Sequence, residues 1–290
     1  MARAAVGDLE LEYESMGEGE PLVLIMGIGA QMVWWPDDLC HGLVRRGFRV
    51  IRFDNREVGL SSRLDHLPVP PIKRALIDFF LGRSVSAPYT LVDMADDVAG
   101  LLDHLGLDSA HVFGASLGGM VAQTLAICHP SRVRTLTSIM SSPGGRRYSI
   151  ARPRAAATLL RKPPRNEQEA IDNHLTFLRI CGSPGFPLDE EAARERAALS
   201  YRRSVYPPGF ARQMAAVLAT GDRTGALQFV RAPTLVIHGA ADPLILPHAG
   251  RATARAIPGA ELLMIDGLGH DLPEGVWPTL IDAIGRLAQI

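Results

Sequence analysis

Short apolar runs and helix-like periods alternate along most of this chain. Residues 21–26 form a continuous apolar run that stops at Gly27, the pattern of a strand buried on both faces. Residues 48–53, 111–114, 133–140, 233–239 and 261–265 read the same way, and 9–14 alternates as a half-exposed strand. Between them lie stretches with apolar residues three and four apart. The stretch 37–46 closes at Gly47, 93–105 closes at Gly106, and 117–128 stops before His129-Pro130. Helices are also expected over 247–256 and roughly 275–288. This alternation predicts an α/β fold built on a mostly parallel sheet.

The alternation breaks in the middle. Residues 143–229 contain no convincing strand. Helical stretches at 155–161, 167–181, 190–205 and 210–220 are separated by turn clusters such as Ser183-Pro184-Gly185 and Pro207-Pro208-Gly209. The expected organisation is a core of residues 1–142 and 230–290 with a helical cap, 143–229, inserted between two strands. One further stretch, 68–88, is set apart by prolines. Its segment 72–81 is apolar enough to be a surface helix burying one face, or a second flap beside a substrate entrance.

Bulk composition narrows the function. The 290 residues carry 30 basic and 31 acidic side chains, a net charge of −1, which gives no electrostatic basis for nucleic-acid binding. No apolar run reaches the length of a membrane span, and the start, Met1 to Asp8, lacks the apolar stretch of a signal peptide. The three cysteines, Cys40, Cys128 and Cys181, are far apart and in no metal-binding spacing. A cytoplasmic protein with no metal, no cofactor and no membrane or nucleic-acid partner is expected. Its oligomeric state leaves no mark on the sequence.

The chemistry concentrates after the strands. Gly114-Ala115-Ser116-Leu117-Gly118 joins a strand to a helix, the setting of a nucleophile elbow. Glycines there let strand and helix approach closely while the serine is held on a sharp turn. A serine hydroxyl needs a base, and the base needs an orienting acid. Asp242 follows the strand ending at Gly239, and His270 follows the strand ending at Ile265. Each alone is an ordinary loop residue. Together, in the order Ser116, Asp242, His270 and each past a strand, they form a candidate catalytic triad. The loop Met26-Gly27-Ile28-Gly29 follows an earlier strand, so the N–H groups of Ile28 and Leu117 are the candidate oxyanion donors. Gly27, Trp34, Met120 and Met140 are candidate substrate contacts. His238, at a strand end, reads as a packing residue.

These motifs resemble the α/β-hydrolase superfamily across essentially the whole chain. The matching segments are Met26 to Gly29, Asp54-Asn55-Arg56-Glu57-Val58-Gly59-Leu60-Ser61, Gly114 to Gly119, His238 to Pro243 and Gly269-His270. Within it the chain is similar to capped, cofactor-free bacterial esterases of the aclacinomycin methylesterase and haloperoxidase-like branches, with Trp35-Pro36-Asp37 pointing to the former. The resemblance implies an eight-stranded, mostly parallel sheet flanked by helices, an α-helical cap and serine-dependent ester hydrolysis. A cap over Ser116 predicts a small to medium, mostly apolar ester rather than a polymer. Perhydrolysis, thioester or lactone cleavage at the same site, and a slow-turnover ligand-binding protein, are the alternatives. Two positions depart from the family pattern. Met26 replaces the histidine that usually buttresses the oxyanion loop, and Glu57 replaces the glycine of the Asp-x-Arg-Gly loop. The Asp54 and Arg56 side chains read as structural.

Overall fold

Leu22, Val23, Leu24 and Ile25 are all buried, and their alternation divides them between two cores. Val23 and Ile25 pack into one apolar cluster, Leu22 and Leu24 into another on the opposite face of the sheet. In the computed structural model, which describes residues 1–289, the sheet has eight strands. They are β1 (Ala2–Val6), β2 (Leu9–Met16), β3 (Glu20–Ile25), β4 (Phe48–Phe53), β5 (Ala110–Ala115), β6 (Val133–Ile139), β7 (Thr234–Gly239) and β8 (Glu261–Ile265). Their spatial order is β1-β2-β4-β3-β5-β6-β7-β8. β1 and β2 are antiparallel additions to one edge, and the remaining six strands run parallel.

β1 is the strand that patterning misses. Only Ala4 and Val6 of its five residues face inward, and alanine carries little strand signal. A two-residue turn at Gly7-Asp8 pairs it with β2, Val6 opposite Leu9.

The helices before the sixth strand are α1 (Asp37–Arg45), α2 (Ile72–Phe80), α3 (Leu91–His104) and α4 (Leu117–Cys128). α3 starts two residues earlier than its apolar period suggests. Thr90 caps it, and Asp93 closes a capping box by accepting from the Thr90 N–H at 2.7 Å. Five helices without a strand fill the gap between β6 and β7: α5 (Pro153–Leu159), α6 (Glu167–Cys181), α7 (Glu190–Arg203), α8 (Pro207–Thr220) and α9 (Thr224–Leu227). α10 (Pro247–Ala256) and α11 (Trp277–Ala288) complete the chain. α3 and α4 cover one face of the sheet; α1 and α11 cover the other.

The inserted helices are bound to the rest of the chain in two ways. Ala216 of α8 and Leu227 of α9 are buried in the same cluster as α3 and α4, so the insertion shares the main core. α2 packs on α8 through Ala75 and Phe79 against Met214 and Leu218, and adds nothing to the large cavity described below. The second link is ionic. Arg203 of α7 meets Asp54 at 2.9 Å, and Arg212 of α8 meets Glu57, all four side chains being nearly or fully buried. Arg212 also donates to the Leu67 and Pro68 carbonyls. Asp54 and Arg56 do not pair with each other. Arg56 instead grips Asp97 of α3 at 2.6 and 2.7 Å.

Glu57 has a φ of 65°, the left-handed conformation that glycine adopts freely. A carboxylate at this strained position is therefore held by its buried ion pair. Glu57→Gly relieves backbone strain of about 1 kcal/mol but strands the Arg212 charge, at a cost of about 3–5 kcal/mol. A net loss of about 2–4 kcal/mol is expected. Urea denaturation checks it, and a variant as stable as the parent would show that the pair does not anchor the inserted helices.

Candidate active site

Ser116 sits between β5 and α4 at φ 55° and ψ −119°, a conformation rare for a residue with a side chain. Its surroundings enforce it. The Ser116 N–H donates to the Ile139 carbonyl at 3.0 Å, and its own carbonyl accepts from the Ser141 hydroxyl at 2.7 Å. A Cβ on Gly114 would collide with the Gly118 carbonyl, and one on Gly118 with the Ile25 carbonyl. The glycines thus allow α4 to start in contact with β5 and β3, and Oγ remains accessible.

The histidine and the carboxylate arrive from the next strands. His270 Nε2 lies 3.1 Å from Ser116 Oγ, and its Nδ1 lies 2.7 Å from Asp242 Oδ2. An ionised carboxylate only accepts, so Nδ1 carries the proton and Nε2 is free to accept from the serine. The other Asp242 oxygen accepts from the Leu244 and Ile245 N–H groups at 2.8 and 2.9 Å. His238 lies behind the site, 3.7 Å from Asp242, and its Nε2 donates to the Ile245 carbonyl at 2.8 Å. Burial keeps its pKa below the usual histidine value, so it supports the Asp242 loop as a neutral ring.

The inserted helices reach the same loop. The His270 N–H donates to the Cys181 carbonyl at the end of α6, at 2.6 Å. The Gly269 N–H donates to Ser183 Oγ at 2.8 Å, and that hydroxyl donates to Asp271. Phe177 of α6 stands edge-on to the His270 ring, with centroids 6.4 Å apart.

Opposite lies the loop after β3. A Cβ on Gly27 would come within 3.3 Å of the Ser116 Cβ, so the loop passes tightly over Ser116. Among the described residues, neither the Ile28 N–H nor the Leu117 N–H has an internal acceptor. The missing histidine is replaced by two amides that sequence reasoning does not find. Asn55 Nδ2 donates to the Met26 carbonyl at 3.0 Å. Gln213 of α8 accepts the Gly29 N–H at 2.8 Å while its own amide nitrogen donates to the Arg56 carbonyl at 3.0 Å. Both side chains are buried, and they grip the loop on either side of Ile28.

A cavity of about 1010 Å³ opens over Ser116 and His270. Gly27, Ile28, Trp34 and Met140 line it, as does α6 through His174 and Phe177. Met120 does not. It is buried in the cluster beneath α4, which is mostly apolar and buried on nearly every side, so the sequence carries no hint of which face meets the cavity.

A serine–histidine–carboxylate series at the carboxyl ends of parallel strands, under inserted helices, defines an α/β hydrolase. The chain belongs to that family: residues 20–274 match the alpha/beta hydrolase fold. It is similar to the rhodomycin D methylesterase DnrP of Streptomyces peucetius, with 29% identity over 96% of this chain and 94% of that one. Among solved structures it resembles the meta-cleavage product hydrolase CumD of Pseudomonas fluorescens, at a TM-score of 0.76, 20% identity and coverage of 100% and 97%. The enol-lactonase of Burkholderia xenovorans superposes with a TM-score of 0.73 at 22% identity, over the full length of both chains. At such identities the two structures speak for the fold alone. Among the described residues no helix is long and apolar enough to cross a membrane.

Fluorophosphonates bond covalently to activated serines. One is expected to modify Ser116, and His270→Ala to slow that reaction at least about 100-fold. Mapping the labelled peptide by mass spectrometry checks both, and an unchanged rate in the variant would contradict the geometry.

Proposed function

We propose that the protein hydrolyses carboxylic esters through an acyl-enzyme on Ser116. The observation that carries this reading is the series from Ser116 Oγ through His270 to Asp242, at 3.1 and 2.7 Å. His270 Nε2 takes the hydroxyl proton as Oγ attacks the ester carbon. The oxyanion accepts from the Ile28 and Leu117 N–H groups. Collapse expels the alcohol, which leaves with the proton from His270. Water then attacks the acyl carbon, His270 takes its proton and returns it to Ser116, and the acid departs. Asp242 holds the ring in the tautomer this cycle needs and stabilises its charged form. The esterase named among the relatives supports the same reaction class.

The cavity supports a discrete ester rather than a polymer. Its volume of about 1010 Å³ stands at the upper end of ligand pockets. That is larger than a short-chain ester needs. Much of the wall is apolar, from Met26, Ile28, Trp34, Met140, Phe177 and Leu178.

Ser116→Ala is expected to lower kcat for a p-nitrophenyl ester at least about 1,000-fold. Gln213→Leu removes the acceptor of the Gly29 N–H without touching the nucleophile. It is expected to lower kcat about 10- to 100-fold, with KM changed less than about threefold. Steady-state kinetics separates the two parameters. Wild-type kcat in Gln213→Leu would remove the loop support from the mechanism.

A further inference from the structure

One face of α7 forms part of the cavity wall. Asp189, Ala192, Ala193 and Arg196 line it at the i, i+3, i+4, i+7 spacing of a single helix side. Three of the four are accounted for. Asp189 caps the helix by accepting from the Ala192 N–H at 3.0 Å, and the alanines are apolar wall. Arg196 is not. It is partly buried, and among the described residues it has neither a hydrogen bond nor an ion pair. Arg52, Arg203, Arg212 and Arg223, by contrast, each end on carboxylate or carbonyl oxygens.

The charges around Arg196 do not neutralise it by contact. Asp37 is engaged by Arg52 at 2.6 Å, and Asp189 is spent on the helix cap. Asp271, elsewhere in the cavity wall, accepts from Ser183, and burial raises its pKa. His174 faces the cavity and packs at a tilt against Trp34, with ring centroids 4.3 Å apart and planes 52° from parallel. Burial, and secondarily the Arg196 charge, pushes its pKa down to about 4, so it is neutral at pH 7. A guanidinium without a partner, partly removed from water, stands in the same cavity as Ser116. Such a fork matches a carboxylate in shape as well as charge.

We propose that Arg196 is a subsite for a carboxylate carried by the ester substrate, so that the protein prefers half-esters of dicarboxylic acids to neutral esters. The inference rests on the ester-hydrolase reading above. For a monomethyl half-ester, the C–O bond to the methoxy group breaks and methanol leaves with the proton from His270. Water supplies the oxygen of the new carboxylate.

The test compares kcat/KM for monomethyl esters of the glutaric to suberic series with that for their carboxamide isosteres, which keep the shape and lose the charge. At the chain length that spans Ser116 to Arg196, the acid is expected to be favoured about tenfold or more. That ratio is expected to fall towards one in Arg196→Gln and to be partly kept in Arg196→Lys. Equal rates for acid and amide at every length in the unaltered protein would overturn the carboxylate subsite alone. Failure to cleave either series, or p-nitrophenyl esters, would overturn the hydrolase reading with it.

Discussion

The close approach of α4 to β3 is the constraint on which the site depends. Ser116 can hold a φ of 55° only because Gly114 and Gly118 leave no Cβ between the turn and its neighbours. The same approach brings the loop at Gly27 against the Ser116 Cβ. Ser116 and the loop at Gly27 are thus placed by one packing event. A methyl group at Gly118 would push α4 off the β3 carbonyls and move both together. Strain at Ser116 is supported by the sheet around it, through the Ile139 carbonyl and the Ser141 hydroxyl.

The inserted helices belong to this machinery rather than lying over it. α6 ends on the backbone of His270, and α8 places Gln213 on the backbone of Gly29. Between these contacts, the buried pairs Arg203–Asp54 and Arg212–Glu57 fix the insertion to the loops that follow β4. Gln31 adds two bonds from its amide nitrogen to the Ser200 and Ser204 carbonyls. Such pairs are costly to break on one side, because the remaining charge is left buried. The geometry around Ser116 and His270 therefore has supports on both sides, each coming from a different helix of the insertion.

Much of this architecture can be read from the chain because its signals are local. A continuous apolar run such as Leu22 to Ile25 announces a strand covered on both faces, and the glycines two residues either side of Ser116 and next to His270 mark turns past strand ends. The gaps have equally physical causes. β1 is too alanine-rich to announce itself. Met120 lies on a helix buried nearly all round, so its direction has no periodic signature. Gln213 and Gly29 are 184 residues apart and meet only in the folded state, and no spacing rule predicts that contact. Asn55 stands in a segment that carries the family resemblance, although its bond to the Met26 carbonyl has no counterpart in the local pattern. Glu57 shows in the sequence as a departure from glycine, yet its partner Arg212 does not, since 155 residues separate them.

The junction of α6 with the His270 loop bears on how such a protein diversifies. An insertion that only roofed the pocket could be exchanged for another by recombination, and substrate range would change in one step. Here an exchange would remove the Cys181 carbonyl from the His270 amide and the Gln213 acceptor from the Gly29 amide at once. The side chains that can change without disturbing either contact are those that face the pocket and hold neither amide, such as those on one side of α7. A chimera carrying a grafted insertion would need both amide contacts rebuilt before its turnover could be compared with that of the parent.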